Sequence, residues 1–219
     1  MSTHLPGQGT LNHVGRVSPT VPSTDTRVAE GSPRLPLAGG AGWDPERLCQ
    51  GYIADYKPMT MVDGEGVRCA LYVSGCPLQC PGCFNMLAQS FRYGQPYTQE
   101  LEESIMQDLA TPYVQGLSLL GGEPFLNTPT IVPLVSRLRQ ELPGKDIWAW
   151  TGLTFEWITA QGTASQQALL SQVDVLIDGP FIADRKDLTL AYRGSSNQRI
   201  LDAPASLKAG KPVDWVSSY

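Results

Sequence analysis

The stretch Arg68-Cys69-Ala70-Leu71-Tyr72-Val73-Ser74-Gly75 followed by Cys76-Pro77-Leu78-Gln79-Cys80-Pro81-Gly82-Cys83 decides how this chain is read. Its first half is rich in β-forming side chains and stops at a glycine, which predicts a strand. Its second half sets three cysteines among Pro77, Pro81 and Gly82, residues that disfavour regular helix or strand and predict an irregular loop. A strand therefore delivers a thiol-bearing loop to one edge of whatever sheet it joins.

Downstream, strand and helix patterns alternate. Thr98 is placed to cap a helix through Ala110, with acidic residues in its first turn and Leu101, Ile105 and Leu109 on one face. Gly116 to Leu120 reads as a short apolar strand running into Gly121-Gly122. Thr128-Pro129 opens a second helix, with Ile131, Leu134, Val135, Leu138 and Leu142 as its buried stripe and Pro143-Gly144 as its stop. Ile147–Trp150 is a strand, helical segments follow around 155–160 and 165–172, and Val173–Asp178 is a further strand. This alternation predicts an α/β fold with a parallel sheet.

Composition narrows the chemistry. Residues 1–48 are read as a disordered N-terminal extension. They hold many Gly, Pro, Ser and Thr, their first aromatic is Trp43, and they bury too little apolar surface to offset the entropy of ordering. Residues 49–202 form the functional domain, and 203–219 are expected to be a ragged tail. The histidines are His4 and His13, both in the extension, so hydrolytic triads and His-ligated zinc catalysis lose their imidazole. A net charge of −5 offers no general pull towards nucleic acid or anionic lipid, and apolar runs are too short to span a membrane. The five cysteines, three of them packed together, do not resemble a secreted disulfide framework, and with no signal peptide the expected location is the cytoplasm.

Cys76, Cys80 and Cys83 have the spacing C-x3-C-x2-C. Three thiolates on one loop can each bind one iron of a 4Fe–4S cubane and leave the fourth iron open for a small chelating molecule. A closed zinc site is the alternative; it would need Cys49, Cys69 or a carboxylate as fourth ligand, and a ferredoxin-like carrier would need a fourth cysteine.

The triad resembles the cluster motif of the radical S-adenosylmethionine (SAM) superfamily. The usual aromatic before the last cysteine is here Gly82, with Phe84 following, a departure shared with the activating enzymes of anaerobic (class III) ribonucleotide reductase. The resemblance runs through most of residues 56–201. It includes Val62-Asp63-Gly64-Glu65-Gly66-Val67-Arg68, Phe84-Asn85, Gly121-Gly122-Glu123-Pro124, Pro143 to Gly152, Asp178-Gly179-Pro180-Phe181 and Arg193 to Arg199. It implies a partial, open (β/α) barrel of the radical SAM type, since the domain is short for a full barrel of about 250 residues. It also implies an oxidoreductase in which a 4Fe–4S cluster and SAM yield methionine and a 5′-deoxyadenosyl radical. That radical would take hydrogen from a glycine of the anaerobic ribonucleoside-triphosphate reductase large subunit, with a flavodoxin-type electron donor. A pyruvate formate-lyase activase would share the triad.

The resemblance assigns Gly121 and Gly122 to the methionine amino group of SAM, with Glu123 a weaker candidate; a simple turn is the plain alternative. Gly82, Cys83 and Phe84 are expected beside SAM, although Phe84 could equally fill core. Thr151 and Asp178 end successive strands and could hold ribose, carboxylate or a cation, or merely cap helices. Asp63-Gly64-Glu65-Gly66 is a turn that would shape the mouth of the site. Trp148 and Trp150 read as core, Arg193–Arg199 as a loop facing solvent or a partner, and Cys49 and Cys69 as incidental thiols. No side chain is assigned as catalytic, because the chemistry belongs to the cluster and SAM.

Overall fold

The computed structural model describes residues 43–217; the reading of 1–42 as a disordered extension lies outside them. The described chain runs α1 (Pro45–Leu48), β1 (Tyr52–Thr60), β2 (Val67–Val73), β3 (Gln95–Pro96), α2 (Gln99–Leu109), β4 (Val114–Gly121), α3 (Thr128–Glu141), β5 (Asp146–Trp150), α4 (Phe155–Gln161), α5 (Ala164–Leu170), β6 (Val175–Asp178), β7 (Arg199–Asp202) and α6 (Ala203–Ala209). These strands form one mixed sheet of seven in the order β3-β1-β2-β4-β5-β6-β7. The inner four, β2, β4, β5 and β6, pair in parallel, whereas β1, β3 and β7 join antiparallel at the two sides. The expected α/β class with a parallel sheet is therefore present, with antiparallel margins that the sequence reading left out.

The helices begin where cap chemistry is available. Thr98 accepts a hydrogen bond from the Leu101 amide to start α2, and Thr163 with Gln166 forms a reciprocal capping box at α5. At α3 the cap position is Asn127, one residue earlier than expected, and Thr128 is already helical. Pro133 sits within that helix on its exposed side.

Alternation along β5 splits its side chains between two cores. Ile147 and Ala149 join the main core, built from strand residues and the buried stripes of α2, α3, α4 and α5. Trp148 and Trp150 face the other way, into a smaller cluster with Val175, Ile177, Tyr192 and Trp215. Trp148 packs edge-on against Tyr192 and Trp215, with ring centroids 5.2 and 5.0 Å away.

Two terminal expectations are corrected. Trp43 packs on the main core and residues 45–48 form a helical turn capped by Asp44, so the end of the supposed extension is ordered. Residues 203–217 are not a ragged tail. Asp202 caps α6, and the chain then returns so that the Trp215 amide donates to the Ile200 carbonyl. The short α6 hides its role because the aromatic that anchors this segment, Trp215, lies beyond it.

All four parallel strands end at one edge: Val73 opposite Gly121, and Trp150 opposite Ile177, one residue short of Asp178. The cysteine loop, Gly122-Glu123, Thr151-Gly152 and Gly179 follow directly, so the topology gathers them. No helix among the described residues is long and apolar enough to cross a membrane. Trp215→Ala should lower stability by about 1–2 kcal/mol in urea unfolding, because it removes a half-buried ring from the second core; a truly loose tail would show no change.

Candidate functional site: a cysteine loop at the sheet edge

The cysteine loop is tied down on both flanks. Gly75 and Cys76 donate their amides to the Ala88 and Gln89 carbonyls, at 2.7 and 3.0 Å, and Ser74 Oγ donates to Tyr93 O at 2.6 Å. Within it Gly75 (φ 105°), Gln79 (φ 50°) and Gly82 (φ 70°) occupy the left-handed side of backbone space, which bends the chain around the thiols. A Cβ at Gly75 would fall 2.0 Å from a Phe91 ring carbon, so this glycine is obligatory for packing as well.

Gly121 and Gly122 carry the close approach between β4 and this loop. A Cβ on Gly121 would stand 2.7 Å from Val73 O, and one on Gly122 2.7 Å from Gly75 O and 2.9 Å from Ala88 O. The Gly122 amide donates to Val73 O at 2.7 Å and the Glu123 amide to Gly75 O at 2.9 Å. The space freed by the missing side chains is thus filled by the backbone of the cysteine loop.

Glu123 is fully buried, and its carboxylate accepts three hydrogen bonds: from the Phe125 amide (3.0 Å), Thr151 Oγ1 (2.7 Å) and the Gly152 amide (2.8 Å). Burial outweighs these donors and pushes its pKa up to about 7. Thr151 in turn accepts from the Leu153 amide at 3.0 Å, so Glu123 and Thr151 together lock the ends of β4 and β5.

A cavity of about 350 Å³ opens at this edge. Cys76, Cys80, Cys83, Phe84, Gly121, Gly122, Glu123 and Thr151 all line it, so most of the residues singled out from sequence converge. Two do not. Gly82 is not in the wall; it turns the loop towards Phe181 instead. Asp178 is also outside the wall. Its buried carboxylate accepts from the Phe155 amide at the start of α4 and pairs with Arg199, Nε–H donating at 2.9 Å. Helix capping and an ion pair explain Asp178 fully.

Other lining residues carried weak signals or none. Trp150 and Tyr192 border the cavity, with Trp150 Nε1 donating to the Tyr192 carbonyl at 2.7 Å. Arg193 and Gln198 belong to a loop folded onto the cavity rim. Gln198 accepts from the Gly194 and Ser195 amides and donates to Gly179 O at 3.1 Å, which makes the polar run a wall rather than free surface. Phe84 is mostly exposed, not core, and meets Phe181 edge-on at 5.4 Å. Leu188 had no signal at all.

The five cysteines are free thiols. Burial pushes Cys76 well above the ordinary thiol range, reinforced by the Glu123 charge, and burial followed by the Cys83 charge pushes Cys80 up to about 11. Such thiols ionise only against strong positive charge, which iron supplies. Among the described residues no group of three or more His, Cys, Asp or Glu side chains is gathered around a single-ion position. Three loop thiols facing one cavity suit a cluster, where each sulfur binds its own iron. The donor set fits a 4Fe–4S group on Cys76, Cys80 and Cys83. Cys49 bonds with Asn127 and Thr130, and Cys69 donates to Pro58 O at 3.2 Å, both away from the cavity.

Comparison with known proteins agrees. Residues 62–201 match the family model described as a 4Fe-4S single cluster domain. The anaerobic ribonucleoside-triphosphate reductase-activating proteins of Escherichia coli strain K12 and Vibrio cholerae are 45% and 47% identical to this chain, over 65% and 66% of it and 93% and 94% of their own length. The protein of that name from Enterobacteria phage T4 is 39% identical over 65% of this chain and 88% of its own. The chain belongs to the family of anaerobic ribonucleoside-triphosphate reductase-activating proteins, within the 4Fe-4S single cluster domain group.

Two outcomes test the site. Gly122→Ala should cost about 1–3 kcal/mol, because its Cβ meets loop backbone that cannot yield cheaply. In metal-free protein, Glu123 is held above its unfolded value near 4.5, so its contribution is complete below that pH. Stability should fall by roughly 3 kcal/mol as pH rises to about 7, and Glu123→Gln should abolish that slope in urea titrations.

Proposed function

We propose that this chain is a radical SAM oxidoreductase that activates an anaerobic ribonucleoside-triphosphate reductase by generating a glycyl radical on its large subunit. The observation that carries the reading is the convergence of three unpaired cysteines and the Gly121-Gly122 backbone on one cavity at the C-terminal edge of the parallel strands. The names and extent of the relatives supply the reductase as partner. A flavodoxin-type protein is the proposed electron donor, and the cytoplasm the proposed location. The fold is read as a partial, open barrel of the radical SAM type.

Cys76, Cys80 and Cys83 would hold the 4Fe–4S cluster. A reduced cluster with SAM supplies cleavage of a carbon–sulfur bond to methionine and a 5′-deoxyadenosyl radical that takes hydrogen from glycine. The protein's part is binding, orientation and exclusion of water. Gly121 and Gly122 present backbone to the methionine end of SAM. Thr151, held by Glu123, fixes the next strand end, and Phe84 with Phe181 offers aromatic surface to the adenine. Leu78 lines the cavity while its methyl carbon would lie 2.2 Å from a Cβ at Gly152, which closes the floor against water.

Alanine at Cys76, Cys80 or Cys83 should each abolish methionine and 5′-deoxyadenosine formation by anaerobically reconstituted protein given reductant and SAM. Alanine at Cys49 or Cys69 should leave it within about twofold. Unimpaired cleavage without any one of the three cavity thiols would refute the proposal.

A further inference from the structure

The polar turn at residues 194–198 reaches the stretch that leaves β6 at three points. Gln198 Nε2 donates to Gly179 O at 3.1 Å, Asn197 Nδ2 donates to Pro180 O at 2.8 Å, and Ser195 Oγ accepts from the Ile182 amide at 3.2 Å. The turn is also hydrogen-bonded across itself. Ser195 is fully buried, Gln198 accepts from the Gly194 and Ser195 amides, and Arg193 donates to Gln198 O at 2.9 Å. Asn197 Oδ1 is buried without a partner, so its side chain contributes the donation to Pro180 O and no other hydrogen bond.

Phe181 stands between these anchors and the cysteine loop. A Cβ at Gly82 would lie 3.7 Å from its ring, Phe84 meets it edge-on at 5.4 Å, and a Cβ at Gly194 would crowd both rings at 3.0 and 3.1 Å. The Gly179 amide is taken by Leu153 O and the Ile182 amide by Ser195 Oγ, while Pro180 has none to give. The Phe181 amide is turned to the Cys80 sulfur: burial raises that thiol, and the Phe181 N–H is among the groups that oppose the rise. The other two sulfurs are served from within the loop, Cys83 by the Asn85 amide at 3.4 Å and Cys76 by that of Leu78. Of the three, Cys80 draws a donor from a distant element.

We propose that residues 195–198 form a positioning clamp for the cluster: by fixing Gly179, Pro180 and Ile182 they hold the Phe181 amide against the Cys80 sulfur, and so raise the reduction potential of the 4Fe–4S group. The inference rests on the proposed ligation by Cys76, Cys80 and Cys83. Reduction adds an electron whose charge spreads onto the sulfurs, so an N–H dipole aimed at one of them favours the reduced state over the oxidised. In a cavity walled by Leu78, Trp150 and Phe181 that dipole is weakly screened. Ser195 and Asn197 lie outside the cavity wall, so they act through Phe181 and not on a bound ligand.

The test uses full-length protein reconstituted anaerobically with iron and sulfide and kept free of SAM. It is titrated with reductant while the reduced cluster is followed by electron paramagnetic resonance. Asn197→Ala and, separately, Ser195→Ala carry no change of charge. Each should keep the wild-type iron content and move the midpoint to lower potential. At the wild-type midpoint the ratio of reduced to oxidised cluster should fall about threefold to tenfold, a shift of about 30–60 mV for one electron. Ser196→Ala, exposed on the same turn, should leave the midpoint where it was. A midpoint that stays the same or rises in both clamp variants overturns the inference. So does a lowered cluster content with an unaltered midpoint, since the clamp is then structural alone. Wild-type protein that takes up no cluster would instead strike the ligand assignment, so the two failures are distinguishable.

Discussion

The arrangement depends on one close contact: the end of β4 lies against the backbone of the cysteine loop with no side chain between them. Val73 O and Gly75 O occupy the places where side chains of Gly121 and Gly122 would stand, and two amides of that turn donate to the same carbonyls. Hydrogen bonds satisfy the buried backbone on both sides, so the loop behaves as an extension of the sheet rather than a free connection. A thiol loop that had to be ordered on binding its cluster would forfeit binding energy to entropy. Here the sheet meets much of that cost during folding.

Electrostatics continue the same logic. Cys76 and Cys80 are buried enough to disfavour thiolate, and Glu123 adds negative potential beside Cys76. The protein left alone keeps these two thiols protonated; iron, with its own charge, reverses that preference. Glu123 is meanwhile committed by three donors to bracing two strand ends. Further back, buried Arg68 pairs with Asp146 at 2.5 Å, donates to Ser118 Oγ at 2.8 Å, and faces the Trp148 ring. These contacts tie the β1–β2 hairpin to the second core.

Much of the fold was legible because its signals are local. The β-rich run before Gly75, the Thr98 cap and the apolar stripe of α3 each declare themselves within a few residues. The triad was legible for the same reason, since ligand spacing is a property of one loop. What escaped was set by distance in sequence. The antiparallel margins β1 and β7 depend on partners rather than on their own patterns, and Trp215 reveals the order of the last segment only through contact with Trp148. Position at a strand end suggested Asp178 as a ligand contact, but Arg199 and the α4 amide claim its carboxylate. Gly82 lies outside the cavity wall, against Phe181, whereas Phe84 lines the cavity and stands exposed at its mouth rather than filling core.

The central claim is that three cysteine sulfurs hold a cluster and leave one iron for SAM. Mössbauer spectroscopy of protein reconstituted with iron-57 tests it directly. The account predicts that adding SAM shifts the parameters of one iron and leaves the rest as they were. A spectrum in which no iron responds to SAM would contradict it.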